Sequence, residues 1–153
     1  MCISMTVATK SICFRYGILF SVALFSHFLW ESAHLSLYGG YANLSPVLPI
    51  TLWASVGDAL YVLGALLLVS LFQKDILTLK ITPRELIGFA LLGFCIALFV
   101  EYKAFVFGKW HYLPTMPVVP FFEVGLSPLL QMTLLLPFSV FVTKTMCRKW
   151  LHF

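Results

Sequence analysis

Four long apolar runs dominate this 153-residue chain, at about residues 16–37, 51–72, 86–107 and 119–143. Each reaches the roughly 20 residues that a helix needs to cross the hydrocarbon of a bilayer. Lipid offers no partners to backbone N–H and C=O groups, so a spanning segment must satisfy them itself as a helix or in a closed barrel. A barrel would need alternating segments of about ten residues, and these are absent. The expected fold class is therefore all-α: a polytopic membrane protein with four transmembrane helices in a single domain, with no linker long enough to divide it. Composition agrees, because 61% of residues are hydrophobic and only 10% are charged. Soluble domains carry roughly 25% charged residues, and a chain with a mean hydropathy of +0.97 could not cover a surface facing water.

The net charge of +4 is distributed by topology. Lys10 and Arg15 precede the first run, Lys74, Lys80 and Arg84 separate the second from the third, and Lys144, Arg148 and Lys149 follow the fourth. Only Lys103 and Lys109 fall on the other side. Eight against two is a positive-inside bias that predicts both termini in the cytoplasm, N-in/C-in. Basic residues at the ends of apolar runs form no basic face, so nucleic acid is not expected as a partner. The first run continues through Trp30 to Leu37 with no A-x-A cleavage site, which predicts an uncleaved first helix. Cys2, Cys13, Cys95 and Cys147 show no C-x-x-C spacing, so neither a disulfide nor a zinc site is expected.

The loops carry local signals. "ITPREL" reads as a helix start, with Thr82 as cap, Pro83 in the first turn and Glu85 closing a capping box. Pro49 is expected near the first turn of the second helix. Pro114, Pro117 and Pro120 predict extended chain until about residue 120. Ala90, Gly93 and Ala97 offer a small-residue face for close helix contact. Pro128 and Pro137 are expected to bend the fourth helix.

Of six carboxylates, Asp75 and Glu85 belong to the cytoplasmic connection, leaving Glu31, Asp58, Glu101 and Glu123, one per helix. With N-in topology all four fall in the outer half of the membrane, Asp58 about seven residues, or ~10 Å, from the outer end of its helix. An ionisable group in hydrocarbon costs at least ~2.5–3.5 kcal/mol and normally faces a bundle interior or a wet cavity. An acidic, outward-facing pocket is the expectation. His27, Glu31 and His34 are spaced i, i+4, i+7 and share one face of the first helix, pointing to the same pocket. Ser127 and Gln131 follow Glu123 by four and eight residues and add polar groups, and His111 is expected to cover the mouth. Duller roles exist for several members: Glu123 as a helix N-terminal charge, Glu101 and His34 as interfacial groups, and an Asp58–His27 pair serving helix packing alone.

Three chemistries suit such a set. Glu31 and His34 form a Glu-x-x-His pair, the spacing used by di-iron bundles, and are the candidate metal ligands. Residues three after Asp58, Glu101 and Glu123 are Tyr61, Ala104 and Leu126, so any metal site would be mononuclear. Crowded carboxyl groups could instead donate a proton to a lipid-phase substrate such as an isoprenoid alkene. They could also relay protons in coupled transport, for which four helices would call for a homo-oligomer.

The series "HFLWESAHLSLY", "GDALYVLGALLL", "EYKAFVFGKWHY" and "MPVVPFFEVGLSPLLQ" resembles a family of small bacterial four-span integral membrane proteins whose activity is uncharacterised. The resemblance covers residues 27–131 and implies the four-span topology, a shared outer-leaflet site and a bacterial inner membrane. A weaker resemblance is to lycopene-cyclase-type membrane domains, in which an acid-bearing helix follows a Trp-x-Tyr loop and a proline. "GKWHYLPTMPVVPFFE" has that loop but replaces the family's Pro-x-Glu-Glu with the single Glu123, three residues after Pro120. The expected function is binding or handling of a small or lipid ligand, drawn from membrane lipid, in a pocket of His27, Glu31, His34, Asp58, Glu101, Glu123 and Gln131. The alternative is a membrane-embedded acid–base enzyme acting on a lipid or isoprenoid. No particular cofactor follows from the sequence.

Overall fold

The computed structural model describes the backbone of residues 2–39, 44–73 and 81–150, and the side chains of 14–39, 48–73 and 81–149. It is an all-α protein of four helices: α1 (Cys2–His34, continued by one 3-10 turn, Leu35–Leu37), α2 (Leu44–Phe72), α3 (Pro83–Val106) and α4 (Leu126–Trp150). All four contain stretches long and apolar enough to cross a membrane, namely Phe14–Leu37, Leu48–Phe72, Pro83–Val106 and Leu126–Lys149. Lys74, Asp75 and Lys80 lie outside the described residues.

The helices follow one another around an open arc in the order α2, α1, α4, α3. α1 packs along both α2 and α4, and α3 packs along α4, but α2 meets α3 only lightly. The seam of the arc is filled by Leu19 and Ala23 of α1, Val62 and Leu66 of α2, and Leu136 and Val140 of α4, all essentially inaccessible. The outer faces are apolar too, with Leu71, Phe72 and Val106 more than three-quarters exposed, as a lipid-facing surface requires. Many hydroxyls within the helices are satisfied locally: Ser26, Ser32, Ser55, Thr133 and Thr143 each donate to the carbonyl four residues earlier.

The small-residue face of α3 does what its composition predicts. Gly93 and Ala97 are buried, and a Cβ on Gly93 would lie 2.9 Å from the Met132 carbonyl carbon and 3.2 Å from Thr133 Cα. The backbones of α3 and α4 therefore touch at this glycine. The capping box of α3 forms as expected, Thr82 N–H donating to the Glu85 carboxylate.

Three local expectations are corrected. Pro49 lies inside α2, which starts five residues earlier, at Leu44. The fourth helix starts at Leu126 rather than near 119. The chain is extended only around Pro117: Pro114 and Pro120 fall in turns, and the segment closes a small antiparallel hairpin of β1 (Val118–Val119) and β2 (Val124–Gly125) before α4 begins. Pro128 accordingly falls in the first turn of α4, where the missing N–H costs nothing, and only Pro137 is interior.

The connections α1–α2 and α3–α4 meet at one end of the bundle. Gly39 N–H donates to His111 O (3.1 Å), Leu113 N–H donates to Leu37 O (3.0 Å), and Tyr38 bridges to Tyr112. Around Tyr38 stand His34, Trp110 and Tyr112 in edge-to-face contact at 5.2, 6.2 and 5.6 Å. Arg84, Lys144, Arg148 and Lys149 lie at the opposite, basic end, where Lys144 Nζ donates to Ile81 O (2.5 Å).

Candidate functional site

Gln131, one turn and a half into α4, faces across the bundle to both α1 and α2 and is only 4% exposed. Its amide nitrogen lies 3.0 Å from Glu31 Oε1, 3.0 Å from Asp58 Oδ2 and 3.1 Å from His27 Nδ1. An NH₂ group has two hydrogens. With both given to the carboxyl groups, His27 Nδ1–H donates to Asp58 Oδ2 at 3.2 Å. The other ring nitrogen, Nε2, is then a bare acceptor on a side chain with no exposure, and it has no hydrogen-bond partner.

The network runs on toward the aromatic end. His34 Nε2 pairs with Glu31 Oε2 at 3.1 Å, and His34 Nδ1 meets Ser127 Oγ at 2.8 Å. Ser127 Oγ also accepts from Trp30 Nε1 (3.2 Å), so its own hydrogen is free for His34 Nδ1 and the imidazole donates from Nε2 to Glu31. The i, i+4, i+7 face of α1 is thus joined through α2 and α4 into one continuous chain: Ser127, His34, Glu31, Gln131, Asp58, His27.

Glu101 enters from α3. Its Oε2 accepts from Tyr112 OH and from Trp110 Nε1 (3.2 Å), and the Gly125 N–H in turn donates to Tyr112 OH (3.0 Å). Tyr38 and Tyr112 lie beyond the helices, and burial first of all holds both phenols well above their ordinary range. For Tyr112 the hydrogen bond to Glu101 and that carboxylate's charge act in the same direction, so it remains an O–H donor.

Between α2 and α3, where the arc is open, lies a cavity of about 360 Å³. Glu31, Asp58, Glu101 and Gln131 supply its polar wall. Tyr38, Trp53, Tyr61 and Trp110 supply aromatic faces, and Lys103 and Lys109 also reach it. Asp58 Oδ1 and Glu101 Oε1 accept no hydrogen bond among the described residues, and both residues border the cavity.

Set against the sequence, Glu31, Asp58, Glu101 and Gln131 come together on one cavity, while His27 and His34 stand behind it as partners of Asp58 and Glu31. Glu123 is corrected. It is exposed, sits in the turn between β1 and β2 with a left-handed backbone (φ 53°), and does not border the cavity. Its backbone N–H donates to Val119 O (2.9 Å), so the residue serves the turn. Glu123→Gln should leave stability within about 0.5 kcal/mol, as for an ordinary surface change. Glu123→Gly should raise it modestly by relieving the left-handed conformation; thermal melts of both variants check this. His111 packs its ring against Gly39 and does not border the cavity. As to the candidate metal pair, among the described residues no three His, Cys, Asp or Glu side chains group as ligands. His34 has both ring nitrogens engaged, by Ser127 and Glu31.

Sequence reasoning missed Trp110, Tyr112 and Tyr38 as partners of the acidic wall, and Lys103 and Tyr61 as groups facing it. The aromatic residues of "KWHY" and "SLY", next to two helix ends, are the signal that could have found this cluster. In comparisons with known proteins, the chain matches no family model, no curated protein and no solved structure.

Proposed function

We propose that this is an N-in/C-in protein of a bacterial inner membrane that takes a small or lipid ligand from the outer half of the bilayer into its acid-lined cavity. The observation that carries this reading is that Glu31, Asp58 and Glu101 share the wall of a cavity at the opening between α2 and α3. Carboxyl groups from three helices are costly in an apolar protein, and helix packing alone would leave no reason to hold two of their oxygens open toward a cavity. The eight basic residues assigned to one side support the orientation, which turns the aromatic end and the cavity outward.

Native mass spectrometry of the protein released from mild detergent tests the proposal beside an Asp58→Asn variant. The expected result is an adduct on the wild type that the folded variant has lost. Identical bare spectra would overturn stable ligand binding.

One observation favours acid–base catalysis on a lipid or isoprenoid, in the manner of the cyclase-type resemblance. Asp58 is in contact with an imidazole on one side and faces the cavity with its other oxygen, the arrangement of a proton-handling carboxyl group. Turnover of added isoprenoid lipid, lost in Asp58→Asn with the fold retained, would establish it.

A further inference from the structure

Lys103 lies one turn from the end of α3, where a lysine in a membrane helix normally extends its ammonium outward to the interface. Here it turns the other way. Its Nζ crosses the opening to donate to Tyr61 OH of α2 (3.3 Å), and it lies 6.0 Å from the Tyr61 ring centre and 5.8 Å from that of Phe99. This is the one side-chain hydrogen bond between α2 and α3 among the described residues. Lys109, in the turn after α3, borders the same cavity. The cavity therefore has cations on its α3 rim and, on the wall behind, two carboxyl oxygens that lack donors, Asp58 Oδ1 and Glu101 Oε1. Glu101 is only 3% exposed and borders the cavity, so little of its surface is open before a ligand arrives.

Resting on the ligand-binding reading above, we infer that the cavity receives the headgroup of a zwitterionic lipid carrying a primary ammonium, its phosphate at Lys103 and Lys109 and its ammonium at Asp58 and Glu101. The charge pattern selects this class. An anionic headgroup without an amine would satisfy the lysines and leave the acidic wall facing uncompensated polar surface. A trimethylammonium could stack on Trp53 or Tyr61, but it has no N–H and would leave both carboxyl oxygens without donors, which costs more than the stacking returns. A primary ammonium brings three donors. The volume of about 360 Å³ is at the small end of ligand pockets, which run from roughly 300 to 1,000 Å³. It seats a headgroup and leaves the acyl chains to the opening between α2 and α3, where Trp53 is 75% exposed. Lipid enters sideways, and Lys103 moves from Tyr61 to the phosphate as it does so.

The test uses the full chain in mixed micelles with phosphatidylethanolamine, phosphatidylcholine and phosphatidylglycerol of identical acyl chains, read by native mass spectrometry, with soluble phosphoethanolamine as a fourth arm. The ethanolamine lipid should be retained about tenfold or more over the other two, the factor expected for charge-assisted hydrogen bonds. Lys103→Met should lower retention about tenfold while Lys103→Arg restores it, and Glu101→Gln should abolish the preference over the choline lipid. Circular dichroism and gel filtration identify any variant that has not folded, and Tyr61→Phe then supplies an independent probe of the Lys103 position. Equal retention of all three lipids, or preference for the glycerol lipid, would overturn the inference. An adduct of another class that still depends on Asp58 would overturn it and leave the cavity reading standing, whereas no Asp58-dependent adduct at all would remove both. Displacement of the lipid by phosphoethanolamine alone would assign the site to a soluble zwitterion and overturn the lipid source.

Discussion

Gly93→Ala should lower the stability of the bundle by about 1–3 kcal/mol, and Gly93→Leu by more. Two effects compete. Alanine is the better helix former by roughly 1 kcal/mol, so the change would be stabilising if the space around residue 93 were open. It is not: the new Cβ would meet the Met132 carbonyl carbon at 2.9 Å and Thr133 Cα at 3.2 Å. These are backbone atoms of α4, which cannot rotate away as a side chain would, so the whole helix must shift. Gly88 supplies the internal control, since it sits on the same helix with nothing within 4 Å of its Cβ position. Gly88→Ala should therefore be neutral or stabilising where Gly93→Ala is not. Reversible unfolding in mixed detergent micelles measures both, and equal shifts in the two variants would refute the close contact. The displacement also has a functional readout. Met132 neighbours Gln131 and itself borders the cavity, so moving α4 away from α3 should weaken ligand retention in step with stability.

How far the chain could be read in advance depended on which interactions are local. Span length and apolar composition are properties of single segments, and the four helices followed from them. The face shared by His27, Glu31 and His34 also follows from one helix's period, and Glu31 and His34 do bond to each other. Asp58 and Glu101 joined the set because helices of one length crossing one slab fix depth as well as direction. Glu123 failed because its place in the membrane hung on the start of α4, and Pro128 was read as a kink when it marks a first turn. Placing the helix start at Pro128 would have put Glu123 in the loop from sequence alone. Lys103 failed for a different reason. Its position at a helix end is legible, but the direction of its side chain is set by Tyr61 on another helix and by the gap between them. The donors to Glu101 are likewise contributed by a loop whose path depends on the pairing of Tyr38 with Tyr112.

Replacing Gln131 by leucine, a residue of similar volume, should cost about 2–5 kcal/mol, because it removes both donors that stand between Glu31 and Asp58. The comparison isolates hydrogen bonding from packing. If Gln131 served only to fill space beside Met132, leucine would be tolerated or would even stabilise, since one buried polar group would be gone. With the amide present, each carboxyl group receives an N–H and the two are held on a common donor. Without it, two carboxyl groups from α1 and α2 face each other across an apolar side chain, and His27 and His34 remain as their donors. The loss should accordingly shrink when a second partner is removed as well. In a double-mutant cycle of Gln131→Leu with Asp58→Asn, a coupling of about 0.5–3 kcal/mol is expected for groups sharing a network. Additive losses would show that Gln131 and Asp58 act independently, and the hydrogen-bonded chain from Ser127 to His27 would then not be a unit. The same variants report on the site. Asp58→Asn alone should keep most stability while losing the ligand, because an amide can still pair with Gln131 but carries no charge for an ammonium. Gln131→Leu should lose both together, since the oxygen that faces the cavity belongs to a carboxyl group whose orientation Gln131 fixes.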